Sequence, residues 1–253
     1  MECCNPEFYI EHLPTVDSTN NYVRAEAKRL WGGAGKAEVV AVYADEQTAG
    51  RGQRGNVWLS RAGENLLVSL LVRPSSLPVV RQFALSQAVA LAVKGAMGYY
   101  GIDAVLKWPN DIYVGGRKLA GILVELDYSS SLVESAVVGV GLNVNEEVFS
   151  PMDKVPVSMK MLLGTSHEVE DVLSALLDGF SYYYAMLQRG EYDTLATDYK
   201  RSLMGYGKTM RFRVGEHSFE AVIKGVESDG RLCLLHADGS ERLYAFKEVE
   251  MVI

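Results

Sequence analysis

The stretch from Leu106 to Val144 limits the fold of this chain more than any other. Two short apolar strands around Leu106 and Ile112 are followed by Gly115-Gly116 and a long strand over 117–127. The polar loop Ser129-Ser130-Ser131 and a further strand over 133–144 come next. Strand, Gly-Gly, strand is a hairpin signal, because the mirror-image two-residue turns need positive φ. Successive hairpins do not build a purely parallel sheet, so a mixed or antiparallel one is expected.

The flanking segments supply the layers. Residues 38–47 (EVVAVYADEQ) read as a buried strand turning polar at its end, and 64–73 (ENLLVSLLVR) as another, stopped by Pro74. Asp17-Ser18-Thr19-Asn20 offers capping oxygens ahead of Val23, Ala27 and Leu30 at helical spacing. Phe83, Val89, Val93 and Met97 mark a largely buried helix that ends near Gly101. Apolar residues from Val169 to Leu187 mark another, up to Gly190, and 191–203 a further one. Near Gly205-Tyr206-Gly207 the character changes to five short strands separated by VGEH, SDG and ADGS. This predicts a catalytic-sized domain over 1–205 and a small barrel over 206–253.

Composition narrows the class. The 253 residues are 48% apolar and 23% charged, which suits a packed globular chain. A net charge of −7 argues against coating nucleic acid or an anionic membrane, while a local basic site is still allowed. Cys3, Cys4 and Cys233 form an odd set without zinc spacing, and Cys3 and Cys4 adjoin a terminus expected to be loose. With no basic leader and no apolar run near the roughly 18 residues of a membrane span, a cytoplasmic protein without membrane partners is expected.

Gly50-Arg51-Gly52-Gln53-Arg54-Gly55 matches the G-x-G-x-x-G dinucleotide pattern. That pattern needs a following helix and an acidic residue roughly 20 positions on. Asn56-Val57-Trp58-Leu59-Ser60 does not begin a helix, and no Asp or Glu occurs from Asn65 to Ile102. The dinucleotide reading fails, and so does the P-loop, which lacks its Gly-Lys-Ser/Thr. Two readings stay open: a nest of backbone amides with Arg51 and Arg54 around an anion, or an exposed loop with solvated arginines.

Two further motifs carry chemistry. In Lys107-Trp108-Pro109-Asn110-Asp111 the proline forces an extended turn that presents Asn110 and Asp111. Lys107 and Lys118 stand at strand ends, as anion ligands or as charges that bound an apolar strand. Gly139 and Gly141 lie inside a strand, which signals a close approach to the backbone or a bulge.

With these segments in view, the chain resembles the biotin protein ligases. Asp17-Ser18-Thr19-Asn20, Gln47-Thr48-Ala49-Gly50-Arg51-Gly52, Lys107-Trp108-Pro109-Asn110-Asp111, Arg117-Lys118-Leu119-Ala120-Gly121-Ile122-Leu123 and Gly139-Val140-Gly141-Leu142-Asn143 carry the resemblance. It implies an α+β fold of the class II aminoacyl-tRNA synthetase/biotin synthetase group: a mixed β-sheet with flanking helices, plus a small C-terminal SH3-like β-barrel. It also implies ATP, Mg²⁺ and biotin as reactants. Biotin is activated as biotinyl-5′-AMP and passed to one lysine of a biotin carboxyl carrier domain of a biotin-dependent carboxylase.

By matching motif, Ser18, Thr19 and Gln47 are expected at the biotin ureido ring. Gly50 and Arg51 are expected along its tail and carboxylate, with Gly121 and Leu123 behind the pocket. Lys118 is expected to touch both carboxylate and α-phosphate. Trp58, Asn110 and Asn143 would surround the adenylate, with Lys107 and Arg54 near the phosphates. Arg51, Lys118, Lys107 and Asp111 are the expected catalytic set, Asp111 as the group that orients or deprotonates the acceptor lysine. The residues assign no metal ligand. Carboxylate attack on a phosphate joins like charges, so fixed cations matter more than a nucleophile.

Two departures stand out. The family's loop commonly reads G-R-G-R-R-G-R/K, whereas Gln53 and Asn56 replace basic residues here, which would weaken retention of the adenylate unless other groups compensate. Sixteen residues precede Asp17, too few for the winged helix-turn-helix of many bacterial members, so no DNA binding is expected. A homodimer is compatible with the resemblance. Lipoate–protein ligases share the fold and the adenylation logic, and a biotin-binding module without catalysis is the non-enzymatic alternative; basic residues at Arg51 and Lys118 speak against the latter.

Overall fold

The computed structural model describes residues 6–74, 76–150 and 155–252, without the side chain of Arg54. Cys3 and Cys4, and the expectation attached to them, lie outside the described residues.

Among the described residues, twelve strands and five α-helices are arranged around two sheets. The larger holds β1 (Phe8–Val16), β2 (Val39–Gln47), β3 (Asn65–Val72), β4 (Val105–Lys107), β5 (Asp111–Val114), β6 (Arg117–Ser129) and β7 (Leu132–Asn143). Its order is β1-β2-β3-β7-β6-β5-β4, with β1 and β2 parallel and the other neighbours antiparallel. The mixed sheet expected from the hairpins is thus present. Gly115 (φ 55°) and Gly116 (φ 78°) make the two-residue turn between β5 and β6, as their sequence requires.

Strand β1 has no counterpart in the sequence reading. Its alternation is blurred by Glu11, His12 and Pro14, and an edge strand tolerates a proline because one row of its backbone groups faces away from the sheet. It runs parallel to β2 because α1 (Thr19–Gly33) carries the chain back across the sheet.

The two faces of the sheet differ. One is covered by α2 (Phe83–Tyr99), which packs on α4 (Val169–Gln188) and α5 (Tyr192–Ser202). Val39, Ala41, Leu66, Val68, Leu70, Val138, Val140 and Leu142 supply that main core. On the other face α1 buries Val23 and Leu30 against Val40, Val42, Leu71 and Val137. Beyond those residues the same face continues with Ser69, Gly139, Gly141 and Gly121, which a helix has nothing apolar to pack on. Period-two alternation therefore places the end of the apolar stripe and the start of an open floor on one face. A short helix α3 (Met159–Leu163), capped by Ser158 Oγ accepting from Met161 N at 3.2 Å, was not foreseen.

The smaller sheet contains β8 (Thr209–Val214), β9 (His217–Val226), β10 (Leu232–His236), β11 (Glu241–Tyr244) and β12 (Glu250–Met251) in the order β11-β10-β9-β8-β12. All of its pairs are antiparallel, and among the described residues β11 and β12 are not paired with each other. Phe212, Ile223, Leu232 and Leu234 belong to the same continuous core as the large sheet. Trp108 Nε1 donates to Gly230 O at 2.9 Å, which fixes the turn after β4 to the small sheet.

Candidate active site

Three of the sequence motifs meet in one row across the sheet. Lys107 pairs with Asp111, Asp111 with Gly121, Gly121 with Gly141, and Gly141 with Leu67. Side chains in such a row share a face, so strands distant in sequence deliver a lysine, a carboxylate and a two-glycine floor to one surface. This row and its surroundings line a cavity of about 460 Å³.

Lys118 reaches this face through a bulge. The register of β5 and β6 shifts after Ile112↔Ala120, so that Tyr113 pairs with Lys118 and Leu119 is the extra residue. A bulge reverses the alternation and re-aims a side chain. Lys118 Nζ accordingly lies 2.7 Å from Asp111 Oδ1, in an ion pair whose carboxylate side is 4% exposed. It also lies 5.4 Å from the centre of the Trp58 ring. Burial, with Asp111 and Glu250 adding to it, pushes the Tyr113 phenol far up and keeps it neutral, and Lys107 Nζ stands 5.4 Å over its ring.

Asn143 supports Lys118 from below. Buried, it donates through Nδ2 to Val157 O at 3.1 Å and Lys118 O at 3.5 Å. The segment around Val157 is further tied by Lys118 N to Val155 O and Val157 N to Lys118 O. Asn143 does not line the cavity; its contacts place it beneath the lysine. Asn110 does line it, and its Nδ2 donates to Ile122 O at 2.8 Å.

The opposite wall is polar. Ser18 is the N-cap of α1, yet its side chain makes no cap hydrogen bond, contrary to the expected use of its oxygen. The first turn is served from β2: Thr19 N and Thr19 Oγ1 donate to Gln47 Oε1 at 2.8 and 3.0 Å. Behind them buried Ser69 contacts Thr19 Oγ1 at 2.7 Å and Asn20 Oδ1 at 2.6 Å. Ser69 and Glu125 went unnoticed in the sequence, although a serine inside NLLVSLLV is a polar signal in an otherwise apolar strand.

The glycine loop is a small hairpin. Trp58 N donates to Gly50 O at 3.0 Å and Gly52 N to Asn56 O at 2.7 Å, with Arg51 bridged to Val57 and one 3₁₀ turn over Gln53–Gly55. The Gly52, Asn56 and Trp58 amides are thus used within the loop, which corrects the picture of a nest converging on an anion. Gly50 is required by closeness: a Cβ there would lie 2.4 Å from Trp58 O. Gly50 lines a smaller neighbouring cavity, while Ser18, Thr19, Gln47, Arg51, Trp58, Lys107, Asn110, Asp111, Lys118, Gly121 and Leu123 all line the main one. The side chain of Arg54 lies outside the described residues.

Gly139 and Gly141 sit in unbulged strand, and protein side chains explain both. A Cβ at Gly139 would lie 2.3 Å from Asn20 Oδ1, and one at Gly141 2.4 Å from Trp58 Cε2. The close approach read from the sequence is therefore made by Asn20 and by the indole. The connection between β11 and β12 adds Phe246 and Lys247 to the cavity wall, and β12 adds Glu250.

The sequence profile of the Biotin/lipoate A/B protein ligase family matches residues 14–143. The chain is 32% identical over 230 residues to the biotin--[acetyl-CoA-carboxylase] ligase of Paracoccus denitrificans, covering 88% of this chain and 92% of that one. It is 31% identical over 212 residues to the bifunctional ligase/repressor BirA of Bacillus spizizenii, covering 82% of this chain and 65% of the relative. It thus spans about two thirds of that relative's length. The biotin protein ligase of Aquifex aeolicus, solved in complex with biotin and ATP, shares the fold with a TM-score of 0.77. That match has 24% identity and covers 96% of this chain and 98% of that one.

Proposed function

Because the chain belongs to the biotin/lipoate A/B protein ligase family, we propose that it is an ATP-dependent biotin–protein ligase. It would join biotin to AMP and then to a lysine of a biotin carboxyl carrier domain. One observation carries this reading. A hydrogen-bonding cap, Ser18, Thr19 and Gln47, and a basic group, Lys107, Lys118 and Arg51, line the same cavity. Biotin has a compact donor–acceptor ring at one end and a carboxylate at the other, and ATP adds a polyanion.

In the first step a biotin carboxylate oxygen attacks the α-phosphorus of ATP. The new P–O bond gives biotinyl-5′-AMP, the bond to the β-phosphate breaks, and pyrophosphate leaves. Lys118 would stand beside the carboxylate and the α-phosphate, and Lys107 beside the departing phosphates, where fixed cations offset the repulsion between like charges. Mg²⁺ bound to the triphosphate would add to the charge these cations supply and would stabilise the leaving pyrophosphate.

In the second step a neutral lysine amine attacks the anhydride carbonyl, AMP leaves, and the amine proton goes to solvent or a carboxylate. Asp111 holds Lys118 and has the acceptor amine as a further partner to orient. Gln47 Oε1 is occupied by Thr19, which leaves its amide N–H groups for the ureido carbonyl. Trp58 and the loop cover the anhydride against water. Asn143 acts through Lys118, Gly50 through the loop, and Arg54 is assigned to the phosphates by its motif.

Biotin-dependent exchange of labelled pyrophosphate into ATP, followed by labelling of a purified carrier domain, tests the proposal. Exchange with lipoate and not with biotin would overturn the substrate. Tight biotin binding without exchange at any Mg²⁺ concentration would overturn the catalysis.

A further inference from the structure

The guanidinium of Arg51 forks onto a carboxylate that no motif includes. Its Nη2 donates to Glu125 Oε1 at 2.9 Å, and its Nη1 to Glu125 Oε2 at 3.3 Å and to Asn21 Oδ1 at 2.7 Å. Glu125 lies on β6, and its side chain is 17% exposed against 40% for Arg51. From the other side Asn20 Nδ2 donates to Glu125 Oε2 at 2.9 Å. Asn20 is in turn seated on Ser69, and Ser69 on Thr19. The loop cation and the polar cap of the cavity are thus two ends of one network, and Gly139 leaves the space that Asn20 needs within it.

We propose that Glu125 is a positioning residue that holds Arg51 paired and ready at the cavity wall, and that the carboxylate of the incoming ligand displaces it. This rests on the reading of the cavity as a biotin site. Exchanging one carboxylate for another keeps the guanidinium paired throughout, so the loop never carries a bare cation out of water, which would be costly. Glu125 does not become isolated when Arg51 leaves. Asn20 stays bound, and Arg24 Nη1 stands 3.5 Å from Glu125 Oε1. The arrangement makes Glu125 a built-in competitor of anionic ligands and of no neutral one.

Binding of biotin and of neutral biotinamide, measured by calorimetry on the full chain, tests this. Glu125→Gln keeps the shape of the side chain and removes the competing charge. The biotin Kd is expected to fall roughly two- to fivefold, the worth of a partly exposed ion pair, while the biotinamide Kd stays at the wild-type value. Asn21→Ala loosens the same held state from the loop side, with less risk to folding, and is expected to shift the acid-to-amide ratio in the same direction by a smaller factor. An unchanged ratio in both variants, or equal weakening of both ligands, overturns the exchange. If the wild-type protein binds neither ligand, the biotin-site reading fails and the exchange falls with it.

Discussion

Gly121 and Gly141 face each other across β6 and β7, and the indole of Trp58 lies on both. A Cβ on Gly141 would meet Trp58 Cε2 at 2.4 Å, inside any real contact, while one on Gly121 would meet Trp58 Cζ3 at 3.1 Å and Lys118 Nζ at 3.2 Å. Bare backbone on two neighbouring strands makes a flat berth, and Trp58 Nε1 is buried there without a hydrogen-bond partner among the described residues. The berth couples the loop hairpin to the sheet.

Gly141→Ala is expected to expel the indole and with it the loop. Pyrophosphate exchange should fall by about a hundredfold, in line with misplacing a positioning group. Trp58 emission should shift to the red, assigned by subtracting the spectrum of a Trp58→Phe variant. Gly121→Ala should be milder, because the flexible end of Lys118 is one of the two groups that must move. Equal activity in the two variants would contradict the geometry.

The Lys118–Asp111 pair has a structural and a chemical side, and paired substitutions separate them. Lys118→Ala is expected to abolish most exchange and also to destabilise the fold by about 3 kcal/mol, because it removes the cation paired with a buried carboxylate. The double variant Lys118→Met with Asp111→Asn removes both charges at similar volume. Denaturant unfolding should show most of the stability recovered, with exchange still absent. Recovery of exchange in the double variant would remove Lys118 from the chemistry.

Much of this was legible in the sequence, and the rest was not for identifiable reasons. The β5–β6 hairpin and the helices α1, α2, α4 and α5 announced themselves through period and turn residues, since Gly115-Gly116 and the apolar spacing of α4 are local signals. Strand β1 escaped because its partner lies beyond α1 and its alternation is interrupted. Eleven of the residues carried over by motif line the main cavity together. Which groups approach Gly139 and Gly141 was not legible, because Asn20 and Trp58 come from other elements and only the assembled sheet brings them there. The Lys118 bulge was equally hidden, being a two-strand property, and so was Glu125, whose partner is a loop arginine 74 positions away.

Acid should test the carboxylates that anchor α1 and the loop. Glu11 is held below the ordinary glutamate value of 4.5 chiefly by its hydrogen bonds from Arg29, against some burial. For Glu125 burial acts upward, and the hydrogen bonds from Asn20 and Arg51 outweigh it, so its value is also lowered. Groups depressed in the folded state contribute stability above their unfolded value and lose it as pH falls through the folded one. Thermal stability should therefore hold from neutral pH down to about 5 and drop on further acidification. Glu11→Gln and Glu125→Gln should each make that acid limb shallower, and an unchanged limb would show that other groups set it.

Ser69 links the polar cap to Glu125 with a single proton. It is fully buried, and its Oγ contacts both Thr19 Oγ1 and Asn20 Oδ1, so one hydroxyl hydrogen is shared between two acceptors. Thr19 passes its own proton to Gln47, which leaves Ser69 to set how Thr19 and Asn20 stand relative to each other. Ser69→Ala removes this link without adding bulk. It is expected to cost about 1–2 kcal/mol in unfolding free energy, the range for leaving buried polar groups without a partner. The functional effect should be selective. The KM for biotin should rise severalfold, because Thr19 and Gln47 lose their fixed orientation, while the KM for ATP stays unchanged, since the described hydrogen bonds of Ser69 go to Thr19 and Asn20. Equal changes in both constants would mean that Ser69 merely holds the sheet together.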